Sequence, residues 1–266
     1  MEDLYRKWCR PDLMAVIAVG DFDEDVIEDT IRRHFASMPA ADNPAPREVF
    51  PVPNHDETLF AIASDAEATN SQIALYHKQP SRNPTTVGDY RQQFIVEALY
   101  NAMLNNRLNE LAQSADPPFA FSMSNQGQFV RSGEVYILAA FVQDGGIEKG
   151  LNAILTEAER VARFGFTESE FERQKTETLR NFERAYAERD KRDSRQLAAE
   201  YRRNFLTGEP IPGIEMEWAM HQEFVPAVTL EEVNSLAREW ITEHDRVVMV
   251  NSPEKAGLEI PTEAGL

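Results

Sequence analysis

The side chains able to do chemistry are few and scattered. Five histidines, His34, His55, His77, His221 and His244, are the natural metal ligands and general bases, and no two of them lie three to five residues apart. The zinc motifs H-E-x-x-H and H-x-x-E-H need two imidazoles one helical turn apart with a glutamate beside them. Glu243-His244 comes nearest, but Trp240 stands four positions before His244. A metal site needs several convergent donors, so the sequence predicts no metal ligand in this chain. Nucleophiles fare no better. No G-x-S-x-G elbow occurs, and Cys9 sits between Trp8 and Arg10 with no histidine near it in sequence. The arginine could lower the thiol pKa, yet a free cysteine is most often a buried packing residue, and that is the reading adopted. Gly20 alone occupies the turn after the first apolar run, too few glycines to bring backbone against a phosphate. The expected catalytic set is therefore none.

The elements that would position such residues are easier to read. The 266 residues suffice for one large domain or two modest ones. Acidic residues outnumber basic ones, 45 to 27, for a formal charge of −18. A field of that sign repels phosphate backbones and anionic surfaces, which argues against a nucleic-acid partner. No stretch approaches the roughly 18 apolar residues of a membrane helix, so no membrane insertion is expected. The start lacks the charged and apolar regions of a signal peptide. Both ends read as cut from something longer.

Residues 13–19 have the length and composition of a strand, followed by a turn at Gly20-Asp21-Phe22-Asp23. Val26, Ile27, Ile31, Phe35 and Met38 then fall at helical spacing behind Asp23 as N-cap. Five prolines in residues 39–53 make a proline-rich connector. Short strands are expected over 59–63 and 72–76, and a helix over 89–112 with a stripe of Phe94, Ile95, Ala98, Leu99, Ala102 and Met103. After Pro117-Pro118, the residues Phe119, Phe121 and Met123 alternate as one face of a strand, and 135–142 is a second strand. A helix follows from Ile147 and stops at Gly165, and Thr167 with Glu170 forms a capping box for the next. The charged, periodic stretch to about Phe205 reads as a solvated helix face laced with ion pairs. Thr229 and Glu232 cap a last helix before a strand over 247–250. Hairpin-like strand pairs beside long helices predict an α+β fold, a mostly antiparallel sheet with the helices packed on one face. One domain is expected over 1–250, with 251–266 a polar linker toward a following domain. Phe119 and Phe121 read as core, with a second use open to them. An edge strand adds an extended peptide by β-augmentation, which makes the pair the candidates for peptide contact.

Four segments in register resemble one family. Tyr5-Arg6-Lys7-Trp8-Cys9-Arg10-Pro11-Asp12-Leu13-Met14, running into Ala15-Val16-Ile17-Ala18-Val19-Gly20-Asp21-Phe22-Asp23, is similar to the "Y-x-P-x-x-M…VVGDVD" segment of the pitrilysin/insulinase-type zinc metallopeptidases, which include the mitochondrial processing peptidases. Asn106-Arg107-Leu108-Asn109-Glu110-Leu111 resembles their "SRL…L" helix, and Phe164-Gly165-Phe166-Thr167-Glu168-Ser169-Glu170 their "G-hydrophobic-T-x-x-E" junction. Pro210-Ile211-Pro212-Gly213-Ile214-Glu215 is similar to the long, two-half bacterial members. The resemblance implies the processing peptidase-like fold, in which homologous α+β domains close as a clamshell around a peptide-holding chamber. It places the zinc motif, and zinc as cofactor, in a catalytic domain of the parent chain upstream of this segment. The family's "LR…GLAY" pattern supplies an arginine and a tyrosine to the active site. Here Leu111-Ala112 and Pro118-Phe119-Ala120-Phe121 put Ala112 and Phe121 in their places, and Cys9 stands where the family usually has tyrosine. These departures imply the non-catalytic second domain, walling the chamber, docking the catalytic zinc-binding domain and meeting the peptide substrate, with Phe119 and Phe121 as chamber candidates. Export to the bacterial periplasm follows from the same resemblance. The alternative is a stand-alone peptide-binding or scaffold module that keeps the fold without proteolysis.

Overall fold

The computed structural model describes every residue except Asn83, and every side chain except those of Asn83 and Arg6. Among the described residues five strands form one sheet: β1 (Leu59–Asp65), β2 (Ser71–Pro80), β3 (Phe121–Val130), β4 (Gly133–Val142) and β5 (Arg246–Pro253), in the order β1-β5-β2-β4-β3. Every pairing is antiparallel except β1 with β5. Leu75 marks the centre, opposite Leu138 on one side and Val248 on the other. Alternation sorts the side chains. Ile73, Leu75, Tyr136, Leu138, Ala140, Val248 and Val250 point to one face and form the core with the helices.

The helices that cover this face follow from the sequence pattern. Thr86 and Asp89 make a capping box for α3 (Val87–Tyr90), which runs through a π-helical stretch, Arg91–Val96, into α4 (Glu97–Ala112). On that helix Ile95, Leu99 and Met103 are buried as expected, with Val96, Tyr100, Leu104 and Leu108 beside them. Ala98 is exposed and Phe94 only half-buried. The helix turns its larger Tyr100 and Leu104 inward, because a fully buried large side chain is worth about 1.5–3 kcal/mol and an alanine far less. Helix α5 (Ile147–Phe164) buries Leu151, Ile154, Ala158 and Val161, and approaches β4 at Gly150, where a Cβ would stand 2.4 Å from Val142 Cγ1. Gly165, at φ 73°, ends it. The capping box of Thr167 and Glu170 opens α6 (Glu168–Ala187), and that of Thr229 and Glu232 opens α9 (Leu230–Trp240).

Several expectations are corrected. The charged stretch is not continuous: it breaks after Ala187, and Asp193 accepts from the Arg195 amide to cap α7 (Ser194–Thr207). A further helix unforeseen in the sequence, α8 (Ile214–Ala227), packs on α6. Towards the N-terminus lie α1 (Glu2–Trp8) and α2 (Glu24–Phe35), the latter capped by Asp23 as expected. The strand expected over residues 13–19 does not form. Pro11–Leu13 is a 3-10 turn, and residues 14–19 carry no ladder. A strand exists only where a neighbour takes its backbone hydrogen bonds, and the five strands take theirs from one another. At the far end β5 runs to Pro253, and Ile260 and Leu266 pack back against the core.

Candidate functional site

Two of the resembling motifs meet in space, and what they build is a structural knot. Arg107 on α4 donates Nε to Glu170 Oε1 at 2.6 Å and Nη2 to Glu170 Oε2 at 2.8 Å, a bidentate pair. Its Nη1 reaches Glu157 Oε1 on α5 at 3.1 Å, and its guanidinium lies 4.9 Å over the Phe166 ring. Hydrogen bonds from Arg107 hold the Glu170 carboxyl down at about 2, assisted by the Thr167 cap. One arginine thus ties α4 to the turn between α5 and α6.

A second buried cluster anchors the other end of α4. Arg82 grips Glu97 with Nη1 and Nη2 at 2.5 and 3.1 Å, and Glu134 with Nε and Nη2 at 3.0 and 2.9 Å. Both carboxylates are buried; burial pushes the Glu97 carboxyl up and Arg82 pulls it back. With Gln126 also donating to Glu134 at 3.0 Å, these oxygens are engaged in holding helix to sheet.

The remaining donors do not come together as a zinc site. His77 lies on the core face of β2, its ring 6.0 Å from that of Tyr136, and burial drives its pKa down to about 4. His221 stacks on Phe182 at 3.4 Å and is bonded to the Glu217 carbonyl through Nδ1. Among the described residues no group of three His, Cys, Asp or Glu side chains is disposed to hold a metal ion. The donors of the described residues do not form a set that fits zinc. Cys9, the residue that closes α1, is exposed, which corrects the expectation of a buried packing thiol.

The face of the sheet opposite the helices is only partly covered and carries a groove. Ordinarily a strand with one solvated face alternates apolar and polar residues, whereas a strand covered on both faces is apolar throughout. Strands β4 and β5 are of the second kind. Val135, Ile137, Ala139 and Phe141 on β4, and Val247 and Met249 on β5, point away from the helices. Tyr76 sits between Ile137 and Val247, and its ring meets Phe129 of β3 at 5.6 Å. Of these, Tyr76, Phe129, Val135, Val247 and Met249 line a groove of about 370 Å³ with Val52 of the connector. The connector is fastened across it at two points. Ser132 Oγ donates to the Phe50 carbonyl at 2.6 Å. At the other, Lys78 Nζ donates to the Pro53 carbonyl, and Asp245 accepts from the His55 amide at 3.0 Å and returns its own amide to the His55 carbonyl at 2.9 Å. Asp245 manages both from a left-handed conformation, φ 55°.

The two candidate phenylalanines part company. Phe119 is 2% exposed and belongs to the core, while Phe121 is 52% exposed on the open face, its ring 5.9 Å from Phe141. They do not share a strand face. The ladder begins with the Ala120 amide on the Phe141 carbonyl, so Phe119 precedes the alternation. The inward positions of β3 are instead Ser122 and Ser124. Tyr76, Phe129, Val247 and Met249 were missed as lining residues. The unbroken apolar run of β5 marks Val247 and Met249, since it asks for cover on both faces, whereas Tyr76 on β2 and Phe129 on β3 lie outside that run.

Comparison with known proteins bears on the family and the fold. The chain is 31% identical over 257 residues to the Arabidopsis thaliana protein named zinc protease PQQL-like, covering 96% of this chain and 24% of that protein. It is 24% identical to the probable zinc protease PqqL of Escherichia coli K12, over 90% of this chain and 25% of that protein. The chain thus spans about a quarter of the length of these curated relatives. Its fold superposes with a TM-score of 0.79 on the crystal structure of the first half of the periplasmic protease PqqL from Escherichia coli, at 20% identity, covering 94% of this chain and 53% of that one. Residues 1–178 match the family described as the peptidase M16 inactive domain, and this chain belongs to that family.

Proposed function

We propose that this chain serves as the non-catalytic domain of a longer zinc peptidase, docking the zinc-binding catalytic domain of the same polypeptide and walling the chamber in which the peptide is held. The observation that carries this reading is the apolar open face of the sheet, with Tyr76, Phe129, Val247 and Met249 around a groove and Phe121 beside it. Such a wall binds the side chains of an extended peptide by burying apolar surface. Its contribution to hydrolysis is indirect: it holds the peptide in place and limits what can enter, so that the reacting bond is presented in one geometry. The zinc ion would polarise the peptide carbonyl and activate water in the other domain. In this reading the residues of this chain hold and orient the peptide and leave the bond-breaking steps to the other domain. The proposal includes export, since the superposed relative is called a periplasmic protease. No described helix is long and apolar enough to cross a membrane.

Metal analysis and a quenched-fluorescence peptide library test the assignment. The complete polypeptide should carry one zinc and cleave in a chelator-sensitive way, and the 266-residue chain should do neither. Stoichiometric zinc with cleavage by the 266-residue chain alone, or a complete polypeptide without zinc, would overturn the proposal.

A further inference from the structure

The groove on the open face is bridged by this chain's own connector. Residues 47–54 form neither helix nor strand. Pro51 and Pro53 fix their own φ and push Phe50 and Val52 towards extended backbone. They also flank Val52, the residue that lines the groove, and have no amide to give to a ladder. The two bonds that hold the middle of this strap go to backbone carbonyls. Ser132 Oγ, in the turn between β3 and β4, donates to the Phe50 carbonyl at 2.6 Å, and Lys78 Nζ on β2 donates to that of Pro53. Val52 sits between these points, and a Cβ placed on Gly133 would lie 3.8 Å from its Cγ2.

The strap is firm at its ends and light in its middle. Upstream, the buried Arg10 donates Nη2 to the Ala45 carbonyl at 2.7 Å. Downstream, Asp245 clamps His55. Between these pins Val49, Phe50 and Val52 are 61, 74 and 41% exposed, so the strap buries little apolar surface. Beneath it the rings of Tyr76 and Phe129 meet at 5.6 Å among Val135, Val247 and Met249. Strand addition has no place here, because β2, β4 and β5 already have a neighbour on each side. An aromatic-lined groove with donors for carbonyls suits a segment in the polyproline II conformation, whose shape is preformed and whose carbonyls are free. What the strap presents is two carbonyls three residues apart, at Phe50 and Pro53, with one apolar side chain between them. Any segment of that kind can present the same.

We propose that residues 47–54 are a displaceable strap, and that the groove takes extended, proline-spaced peptide segments carrying an apolar residue between two free carbonyls. Such a segment replaces Val52 in the groove and accepts from Ser132 Oγ and Lys78 Nζ in place of the Phe50 and Pro53 carbonyls. This rests on the reading of the open face as a peptide wall and narrows that wall to one class of ligand. The groove is then available only for the fraction of time the strap is off, and the apparent affinity falls by that fraction. Because Arg10 and Asp245 hold its two ends, the strap closes again when the peptide leaves.

A fluorescein-labelled peptide of residues 47–55, added to the 266-residue chain and followed by fluorescence polarisation, tests this with one substitution made on either side. In the chain, V52D unseats the strap at an exposed position and should tighten peptide binding about tenfold. In the peptide, the same change puts a carboxylate into the apolar groove and should weaken binding about tenfold or more. Changing both prolines of the peptide to alanine should weaken it about fivefold or more, since the extended shape is no longer preformed. Unchanged or weaker binding by the V52D chain would overturn the strap. A peptide that binds equally well with the aspartate, or without its prolines, would overturn the assigned ligand class. The readout needs neither zinc nor cleavage. A complete polypeptide that carries zinc and cleaves, with no tightening by V52D, would sink this inference alone. The pair of opposite effects alongside a zinc-free complete polypeptide would sink the peptidase reading alone.

Discussion

Replacing Arg107 with methionine tests whether the motif residues are structural. The substitution keeps much of the side chain's apolar length and removes the charge. It takes from Glu170 its bidentate partner at 2.6 and 2.8 Å, and from Glu157 a donor at 3.1 Å. Breaking a buried pair by removing one partner costs about 3–5 kcal/mol. Both carboxylates keep some support, however. Glu157 retains Arg160 at 2.8 Å, and Glu170 retains the Thr167 amide and hydroxyl, each at 2.7 Å. The expected loss is therefore at the low end, about 3 kcal/mol. Against a domain stability of about 5–15 kcal/mol this is a large fraction, and it appears as a drop of about 1 M or more in the urea midpoint. Followed by circular dichroism, R107M should unfold earlier with an unchanged slope. The double variant R107M/E170M should be more stable than the two single losses summed, because the orphaned carboxylate is gone with its partner. A loss under about 1 kcal/mol for R107M, or strict additivity in the double variant, would refute the reasoning that these residues act as one knot.

Three other expectations follow from the same geometry. R82M strands Glu97 and Glu134, both buried, and should cost about 3–5 kcal/mol, with much of it recovered in R82M/E97Q/E134Q, as read by chemical denaturation. His77, held at about 4 in the fold against 6.5 when free, makes the unfolded chain the stronger proton binder between those values. Stability should be full above about pH 6.5 and fall by about 3 kcal/mol as pH drops to 4, and H77Q should flatten that decline in thermal unfolding measured across the window. G150A puts a methyl 2.4 Å from Val142 Cγ1 and should cost about 1–3 kcal/mol in urea unfolding, with V142A in the same chain restoring part of it.

Local rules made much of the fold legible. The capping boxes at Thr167 and Thr229, the cap at Asp23 and the stop at Gly165 all lie where short-range hydrogen bonding put them. Elements that depend on distant partners were not legible. Residues 14–19 have strand composition, but whether they pair is decided by a sheet elsewhere in space. Helix α8 lay hidden because Pro210 and Pro212 precede it, Pro226 sits in its last turn, and Trp218 and Met220 do not form a narrow stripe. Phe119 and Phe121 looked alike until the first ladder bond, at Ala120, put one in the core and the other on the open face. The groove draws on β2, β3, β4, β5 and the connector, so no window of sequence contains it. Its composition was visible, as apolar residues on consecutive positions of β4 and β5; its shape was not.

The central claim is that the open sheet face is a peptide wall, and Met249 on β5 tests it most directly. In the complete polypeptide, M249E places a carboxylate in an apolar groove, and M249L keeps it apolar. If peptides lie against this wall, M249E should raise KM for a long quenched-fluorescence peptide by about tenfold or more, equivalent to about 1.4 kcal/mol of lost binding. M249L should match the parent, and zinc content and thermal stability should hold in both. Unchanged KM and kcat in a folded, zinc-loaded M249E would contradict the account.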